Sequence, residues 1–284
     1  MSFPALTWVC RDRAVRLERT LIMGVLNVTP DSFSDGGAYA DPGRAIARGR
    51  ALEAEGADIL DIGGESTRPG AAPVPMEEEL RRVIPVLGAL AQQTRCLISV
   101  DTRQAAVARA ALAAGAHIIN DVSAATHDPA MAAVAAEYRA GLVLMHSQGE
   151  PATMQHHPQY AAVVEEVRAY LADRLAALAA AGLPRQHLVV DPGIGFGKTL
   201  AHNLALLRGL PRLCELGRPL LVGVSRKALL GQLTGRAPPA DRLAGSLAAL
   251  TAAILGGARI VRVHDVAASR DAARVADALQ PESV

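Results

Sequence analysis

The chain has 284 residues, and half of them are hydrophobic, so it can bury one large core. Its 29 Lys and Arg residues nearly balance its 28 Asp and Glu residues, and the net charge of +1 argues against a surface built for nucleic acid or an anionic membrane. Aromatic residues make up only 3% of the chain, which also argues against stacking platforms for single-stranded nucleic acid.

The cysteines and the hydropathy pattern indicate a protein of the reducing cytoplasm, without membrane contact. Cys10, Cys96 and Cys214 are far apart and form no CxxC pair, so neither a disulfide framework nor a zinc site is predicted. Residues Met1–Arg19 carry charges where a secretory signal needs an apolar run. The longest apolar stretch, Leu243–Ala258, is short for a membrane span, and we expect a helix packed against a sheet there.

One pattern recurs along the chain. An Ala-rich helical stretch ends in Gly, and a short apolar run follows it. The Gly supplies a left-handed helix C-cap, and the apolar run suits a strand buried on both faces. Such alternation indicates βαβ units and a parallel sheet. The predicted strands are Leu21–Leu26, Ile59–Ile62, Leu97–Val100, His117–Ile119, Leu142–Met145, Leu188–Val190, Leu220–Val224 and Ile260–Val263.

Eight strands, each followed by a helix, predict an α/β fold of the (β/α)8 TIM-barrel type. A doubly wound open sheet is the competing arrangement. The residues before Leu21 do not fit the repeat, and we expect Trp8–Cys10 and Val15–Leu17 to form a short hairpin at the bottom of the barrel. No linker or low-complexity segment marks a boundary, so residues 1–284 are predicted to form a single domain.

Polar residues follow the predicted strands, at the end of the barrel where active sites of this fold lie. They include Asn27, Asp61, Asp101, Asn120, Asp121, His146, Asp191, Ser225–Lys227, Arg262, His264 and Asp265. Helix N-caps or turns account for Asp41, Asp121 and Asp265 taken singly. They do not account for Lys, Arg and His at adjacent strand ends, so we predict a binding site at this rim.

The cationic members of this set predict an anion site. Lys227, Arg262 and His264 come from strands seven and eight, the usual phosphate corner of a barrel. Arg68 lies on a Pro- and Gly-bounded loop that we expect to fold over the same anion, since guanidinium groups suit phosphate oxygens. Gly197–Thr199 resembles the end of a P-loop, but the first Gly of that motif is missing, so no P-loop is predicted.

The acidic and amide members predict a second kind of contact. Asp101, Asn120 and Asp191 lie on strands three, four and six, and buried acceptors there would read the donor edge of a flat heterocycle. A ligand with a diphosphate at one end and an amine-rich ring at the other fits both groups.

Two long segments, Met23–Gly37 and Asp61–Gly70, resemble the signatures of the dihydropteroate synthase family. Shorter matching segments follow in family order: Ser99–Thr102, Ile119–Asp121, Asp191–Phe196, Gly223–Lys227 and Arg262–His264. Between Leu21 and Asp265 the chain is therefore identified as similar to this family of pterin-binding TIM barrels.

The resemblance implies a reaction of folate biosynthesis. 6-Hydroxymethyl-7,8-dihydropterin diphosphate would condense with 4-aminobenzoate to give 7,8-dihydropteroate and diphosphate. It also implies a Mg2+ ion held by Asn27, small-molecule substrates only, and a homodimer. The residues implied to be catalytic are Asp101, Asp191, Lys227, Arg262 and His264. Those implied to bind substrate are Asn27, Phe33, Thr67, Arg68, Pro69, Asp101, Asn120, Met145, Asp191, Phe196, Lys227, Arg262, Val263 and His264.

Each part of the substrate has its own group of residues in the family pattern. The pterin ring is held by Asp101, Asn120, Asp191 and Lys227, between apolar walls made by Met145 and Phe196. The diphosphate meets Asn27, Arg262 and His264. The aminobenzoate site is completed by Phe33, Thr67, Arg68 and Pro69. These last four lie on two loops, Asn27–Gly37 and Ser66–Pro75, which we expect to be mobile without ligand.

Two other functions remain open. A corrinoid-dependent methyltransferase acting on methyltetrahydrofolate shares the barrel and the pterin-facing residues, but the Asn27–Gly37 loop, Lys227 and the Arg262/His264 pair argue for a diphosphate substrate. A non-catalytic homologue usually lacks several charged site residues, and none is missing here. Two residues depart from the family pattern: Ser147, where Met is common, and Ala228, where Ser is frequent. At Ala228 a contact to the aminobenzoate carboxylate would then come from the backbone.

Overall fold

The computed structural model describes residues 6–29, 41–65, 74–149, 153–155 and 157–280. Residues 30–37 and 66–73 of the two predicted mobile loops lie outside the described residues. The strands of the described part are β1 Thr7–Cys10, β2 Arg13–Arg16, β3 Leu21–Asn27, β4 Ile59–Gly63, β5 Leu97–Asp101, β6 Ile118–Asp121, β7 Gly141–Met145, β8 Leu188–Asp191, β9 Leu221–Val222 and β10 Ile260–Val263.

Helices follow the strands of the sheet in regular alternation. They are α1 Pro42–Glu55, α2 Met76–Gln93, α3 Ala105–Ala113, α4 Met131–Tyr138, α5 Val163–Ala180, α6 Leu200–Arg208, α7 Leu210–Cys214, α8 Ala228–Thr234, α9 Leu243–Leu255 and α10 Val266–Ala278. Helix α9 lies within the long apolar stretch, as predicted. Within the described ranges, no helix combines the length and the apolar character that crossing a bilayer requires.

Strands β3 to β10 form one parallel sheet in the order β8-β7-β6-β5-β4-β3-β10-β9. A further parallel bridge joins Val190 of β8 to Leu220, directly before β9, so the two edges of the sheet meet. The sheet is therefore a nearly closed barrel, and the predicted TIM-barrel fold is confirmed. A doubly wound sheet is excluded, because its edge strands would lie far apart.

The observed strand bounds follow the predicted apolar runs closely, except at the seventh predicted strand, which is β9 in the structure. Leu220–Val224 was predicted, whereas β9 comprises Leu221–Val222. The chain leaves the sheet early because the next residues turn towards α8. Arg226 has a left-handed backbone with φ 61°, and its N–H donates to the hydroxyl of Ser246 at 3.0 Å.

The hairpin β1–β2 closes the bottom of the barrel. Trp8 is fully buried and donates its indole N–H to the carbonyl of His187 at 2.9 Å. The buried Arg218 donates to the carbonyls of Leu188 at 3.0 Å and Thr7 at 3.2 Å, and so ties the hairpin to β8. The predicted hairpin is confirmed, with each strand beginning one or two residues earlier than expected.

The barrel interior has an apolar lower layer and a polar upper layer. The lower layer takes residues from all eight strands: Leu21, Met23, Ile59, Leu97, Ile118, Val143, Val189, Leu221 and Ile260. Side chains alternate along a strand, so residues two positions later face the interior one layer higher. Those positions include Asp61, Ser99, Asn120, Met145, Asp191 and Arg262. The two-residue alternation of side chains along each strand therefore places these polar residues directly above the apolar lower layer.

Candidate active site

A buried charge cluster lies in the upper layer. Arg262 donates from Nε to Asp61 Oδ2 at 2.6 Å and from Nη2 to Asp101 Oδ2 at 2.7 Å. Asp61 is fully buried and also accepts from Ser99 Oγ at 2.7 Å and from Asn120 Nδ2 at 3.0 Å. Charge-assisted bonds in a low-dielectric interior are strong and directional. The cluster therefore joins β4, β5, β6 and β10 in one fixed arrangement.

Burial and charge shift the pKa values in this cluster. Burial raises the pKa of Asp101 to about 7, with Arg262 opposing the rise and Asp61 adding to it. Burial alone would lower the pKa of Arg262, but Asp61 and Asp101 hold it above its ordinary value. Oδ1 of Asp101 is buried and has no hydrogen-bond partner within the described part of the chain. Because buried acceptors are normally paired, this oxygen marks a position for a ligand donor.

Asp191 and Lys227 form a second charged group on the far side of the barrel. Lys227 donates to the carbonyl of Ile194, and its Nζ lies 4.7 Å from the ring centroid of Phe196. Burial lowers the pKa of Lys227 to about 8, and Asp191 opposes this shift. Burial likewise raises the pKa of Asp191, and Lys227 opposes that rise. A cation, a carboxylate and an aromatic face thus meet where a flat polar ring can lie.

Lys198 fixes the loop that carries Phe196. Lys198 is 3% exposed, and its Nζ lies 2.8 Å from the carbonyl of Phe196, 3.1 Å from Nδ1 of His146 and 3.2 Å from the carbonyl of His146. Burial lowers its pKa to about 7, and burial with the Lys198 charge lowers that of His146 to about 3. In the same loop Gly193 has φ +66°, and a Cβ there would lie 1.9 Å from the carbonyl oxygen of His146. The ends of β7 and β8 are therefore packed tightly together.

At the end of β10, His264 is oriented by Ser225. The backbone N–H of His264 donates to Ser225 Oγ at 3.2 Å, and its ring Nδ1 lies 3.1 Å from the same oxygen. Since Ser225 belongs to the segment after β9, this contact joins the two strand ends that were predicted to form the anion corner. The imidazole is half-buried at this corner of the barrel.

The three aspartates interpreted as caps or turns differ in what they do. Asp41 caps α1 and accepts a backbone N–H at 2.8 Å. Asp121 accepts backbone N–H groups of the turn after β6 at 2.7 and 2.8 Å. Asp265 precedes α10 but makes no side-chain cap there, and pairs with Arg226 instead. The cap interpretation is therefore wrong for Asp265, because its carboxylate forms an ion pair with the guanidinium of Arg226.

The structure brings most of the predicted site residues to one place. Around the upper layer of the interior lie Asp101, Asn120, Met145, Asp191, Phe196, Lys227, Arg262 and His264. Asn27 ends β3 opposite Gly63, which is itself opposite Asp101, so Asn27 stands at the level of that carboxylate. Val263 is different, because its side chain packs in the core between sheet and helices, and only its backbone can contact a ligand. Phe33, Thr67, Arg68 and Pro69 lie outside the described residues.

Asp61, His146 and Lys198 help to build the site but were not among the predicted site residues. Asp61 had a usable signal, because a charge inside the apolar run Ile59–Ile62 needs a buried partner. His146 was recognised at a strand end but given no role. Lys198 was considered only as part of a P-loop, and its contact with His146 spans 52 positions, which no local pattern predicts.

Comparison with known proteins identifies relatives of this chain. The family described as "Pterin binding enzyme" matches residues 23–264. The dihydropteroate synthase of Neisseria meningitidis serogroup B is 50% identical over 277 residues, which cover 96% of this chain and 97% of that protein.

Solved structures give the same result. A Xanthomonas albilineans dihydropteroate synthase with 4-aminobenzoic acid is similar at 50% identity with a TM-score of 0.92, over 99% of this chain and 100% of that chain. A structure of that organism's enzyme in complex with 7,8-dihydropteroate is similar at 48% identity with a TM-score of 0.88, over 98% of this chain and 100% of that chain.

Proposed function

The chain belongs to the dihydropteroate synthase family of pterin-binding transferases, and we propose that it condenses 6-hydroxymethyl-7,8-dihydropterin diphosphate with 4-aminobenzoate. The products are 7,8-dihydropteroate and diphosphate. One observation carries this proposal: the buried acceptors Asp101, Asn120 and Asp191 lie beside the half-buried cations Lys227 and Arg262 in the polar upper part of the barrel interior. A ligand with a donor-rich ring next to an anion matches that layer.

The ring lies between the two charged groups. The unpaired Oδ1 of Asp101 and the carboxylate of Asp191 accept from the N–H donors of the pterin, and Asn120 adds an amide contact. Phe196 and Met145 supply apolar faces, and Lys227 lies beside the Phe196 ring as a donor to a ring oxygen. These contacts orient the exocyclic methylene towards the end of β10.

The reaction breaks the bond from the pterin methylene carbon to a diphosphate oxygen, whose electron pair leaves with the diphosphate. Positive charge develops on the pterin, where the carboxylates of Asp101 and Asp191 stabilise it. Arg262 and His264 stabilise the departing anion. The neutral amine of aminobenzoate then bonds to the methylene carbon, and the resulting ammonium loses a proton to water. Catalysis is therefore electrostatic preorganisation more than proton transfer by a side chain.

Mg2+ fits the donor set that this site offers. In the described ranges no group of three or more His, Cys, Asp or Glu side chains can hold a metal ion alone. Mg2+ keeps several waters and is usually held by one or two carboxylates with substrate phosphates, so here the diphosphate and water would supply most of its ligands and the amide oxygen of Asn27 one. When bound, the ion would neutralise charge on the diphosphate.

The loops complete the proposed site for the second substrate. By the family pattern, Phe33, Thr67, Arg68 and Pro69 surround the aminobenzoate. With Ala228 at the start of α8, the carboxylate of aminobenzoate is expected to receive backbone N–H groups rather than a hydroxyl. Replacing Ala228 by Ser should then lower the KM for aminobenzoate by a few-fold, about the effect of one added hydrogen bond.

A homodimer is proposed from the family and from an apolar surface. The exposed face of α9 carries no charged residue between Leu243 and Leu255, which are 38% and 46% exposed. On the neighbouring α10 Val275 is 60% exposed, and Leu279, directly after that helix, is 65% exposed. We propose that these exposed apolar residues on two packed helices form the dimer contact, since exposed apolar patches mark such sites. Leu255→Glu should therefore shift the mass measured by light scattering towards the monomer.

A cytoplasmic location and a single domain over residues 1–284 are proposed as well. Free thiols support the location, because Cys10, Cys96 and Cys214 are all unpaired and suit a reducing compartment. The nearly closed barrel supports the single domain, since its eight strands draw on almost the whole chain.

The test is product formation by the purified protein with Mg2+ and both substrates. Dihydropteroate should form in equal amount to released diphosphate, and omission of either substrate should stop its formation. Lys227→Ala should abolish the reaction, whereas Arg212→Ala, on the exposed surface of α7, should not. Consumption of methyltetrahydrofolate with a cobalamin acceptor, without diphosphate release, would instead establish the methyltransferase alternative.

A further inference from the structure

We propose that Asp61 is a positioning residue that orients both the ring-binding amide of Asn120 and the diphosphate-binding guanidinium of Arg262. The proposal rests on the function proposed above and extends it to a residue that touches neither substrate. Asp61 lies on β4 opposite Ser99, one interior level below Asp101, and is 0% exposed. Its carboxylate therefore acts only through its neighbours.

The first neighbour is Arg262. Its Nε donates to Asp61 Oδ2 at 2.6 Å, while Nη2 reaches Asp101 at 2.7 Å. The guanidinium is planar, and its donors lie in a fixed fork, so the bond at Nε defines the plane of the remaining donors. Asp61 therefore sets the direction in which Arg262 presents its outer N–H groups to an anion.

The second neighbour is Asn120, whose amide can face either way. The Asp61 carboxylate accepts from Arg262 and Ser99, and the NH2 group of Asn120 faces it as a third donor, at 3.0 Å. The carbonyl oxygen then lies on the other side of the amide. Asn120 consequently offers an acceptor to the ring, as Asp101 and Asp191 do, and the layer selects a ring edge rich in N–H donors.

Ser99 holds the carboxylate of Asp61 against rotation. Its hydroxyl donates to Oδ1 at 2.7 Å, on the oxygen that Arg262 and Asn120 do not use. Both oxygens of Asp61 are thus occupied, and one carboxylate couples the two halves of the substrate site. A change at Asp61 should weaken both halves, whereas a change at either neighbour should weaken mainly one.

The test measures the two halves separately in Asp61→Asn, which keeps the shape and removes the charge. Calorimetric titration with 6-hydroxymethylpterin and with Mg2+-diphosphate should each show affinity weakened about ten-fold or more, and kcat should fall about 10²-fold, as small misplacements cost. Asn120→Ala should weaken mainly pterin binding, and Arg262→Lys mainly diphosphate binding. The matched control is Asp58→Asn, which loses an ion pair to Arg19 at the opposite end of the barrel and should leave both affinities unchanged.

The outcomes separate this proposal from the proposed function. The positioning role is overturned if a folded Asp61→Asn variant binds either ligand with wild-type affinity. The proposed function would still stand in that case, provided that the wild type turns over its substrates. Failure of the wild type to release diphosphate would refute the function itself. If Asp61→Asn does not fold, Ser99→Ala decides, because loss of one hydrogen bond should weaken both ligands about five-fold. Unchanged affinities in that variant also overturn the proposal.

Discussion

Replacing Arg262 by Met should destabilise the protein strongly at alkaline pH. Methionine replaces the aliphatic part of the arginine side chain but lacks the guanidinium that donates to Asp61 at 2.6 Å and to Asp101 at 2.7 Å. Both carboxylates would then remain in the barrel interior without that cation. Breaking a buried ion pair costs about 3–5 kcal/mol, so we expect a loss of that size in the free energy of unfolding at about pH 8.5.

The loss should shrink as the pH falls. In the folded protein the pKa of Asp101 is about 7, above the ordinary value of 3.8. A carboxyl with a raised folded pKa contributes stability at low pH, and this contribution is lost as the pH rises through the folded pKa. Arg262 opposes this rise, so its removal should raise the pKa of Asp101 further. The free energy of unfolding of the variant should then keep falling at pH values where that of the wild type no longer changes. The difference between wild type and variant should therefore be smaller at about pH 5.5 than at about pH 8.5.

The assay is urea denaturation followed by circular dichroism at both pH values. Fluorescence of Trp8, the single tryptophan, gives a second probe at the bottom of the barrel. Arg212→Met is the control, because Arg212 pairs with Glu215 on the exposed surface and its replacement should leave the free energy of unfolding nearly unchanged. An Arg262→Met variant as stable as the wild type at about pH 8.5, or equally destabilised at both pH values, would refute the reasoning.

Three further predictions concern the base, the β8 loop and the pH profile. Trp8→Ala should lower the free energy of unfolding by about 3–5 kcal/mol while the folded variant keeps its kcat, and a loss below about 1 kcal/mol would contradict the role of the hairpin. Gly193→Ala should lower kcat/KM at least about ten-fold, because its Cβ would lie 1.9 Å from the carbonyl of His146, and wild-type kinetics would contradict that packing. The kcat/KM of the wild type should fall as the pH drops through about 7, because Asp101 is protonated there, and a profile flat from about pH 5 to 8 would count against an ionised Asp101.

Most of the fold was predictable because the buried strands are short apolar runs before polar turns, and most of them follow a helical stretch that ends in Gly. The barrel's strands follow those runs, with strand seven the main exception. There the run Leu220–Val224 continues past the end of β9, because the left-handed Arg226 and its bond to Ser246 divert the chain. A hydropathy pattern contains no information on such a contact.

The site was predictable where residues follow strand ends and less so inside the barrel. Asp101, Asn120 and Asp191 were found because parallel strands bring their ends to one rim. The bond from Arg262 to Asp61 joins residues 201 positions apart, and it depends on β3 lying between β4 and β10. Alternation along a strand predicts that Asp61 faces inward, but only the closed barrel shows which cation meets it.

The residues of the two loops could not be assigned from strand ends. The aminobenzoate contacts of Phe33, Thr67, Arg68 and Pro69 came from the family pattern alone and lie outside the described residues. They remain predictions that a liganded structure can test directly.

The central claim is that the polar upper part of the barrel interior binds the ring and the diphosphate together. A crystal structure with 6-hydroxymethylpterin, diphosphate and Mg2+ tests it most directly. The account predicts ring donors within about 3 Å of Asp101 Oδ1 and of Asp191, with diphosphate oxygens on the outer N–H groups of Arg262. A ring bound instead in the cavity lined by Ser123 and Tyr170, with the polar layer free of ligand, would contradict it.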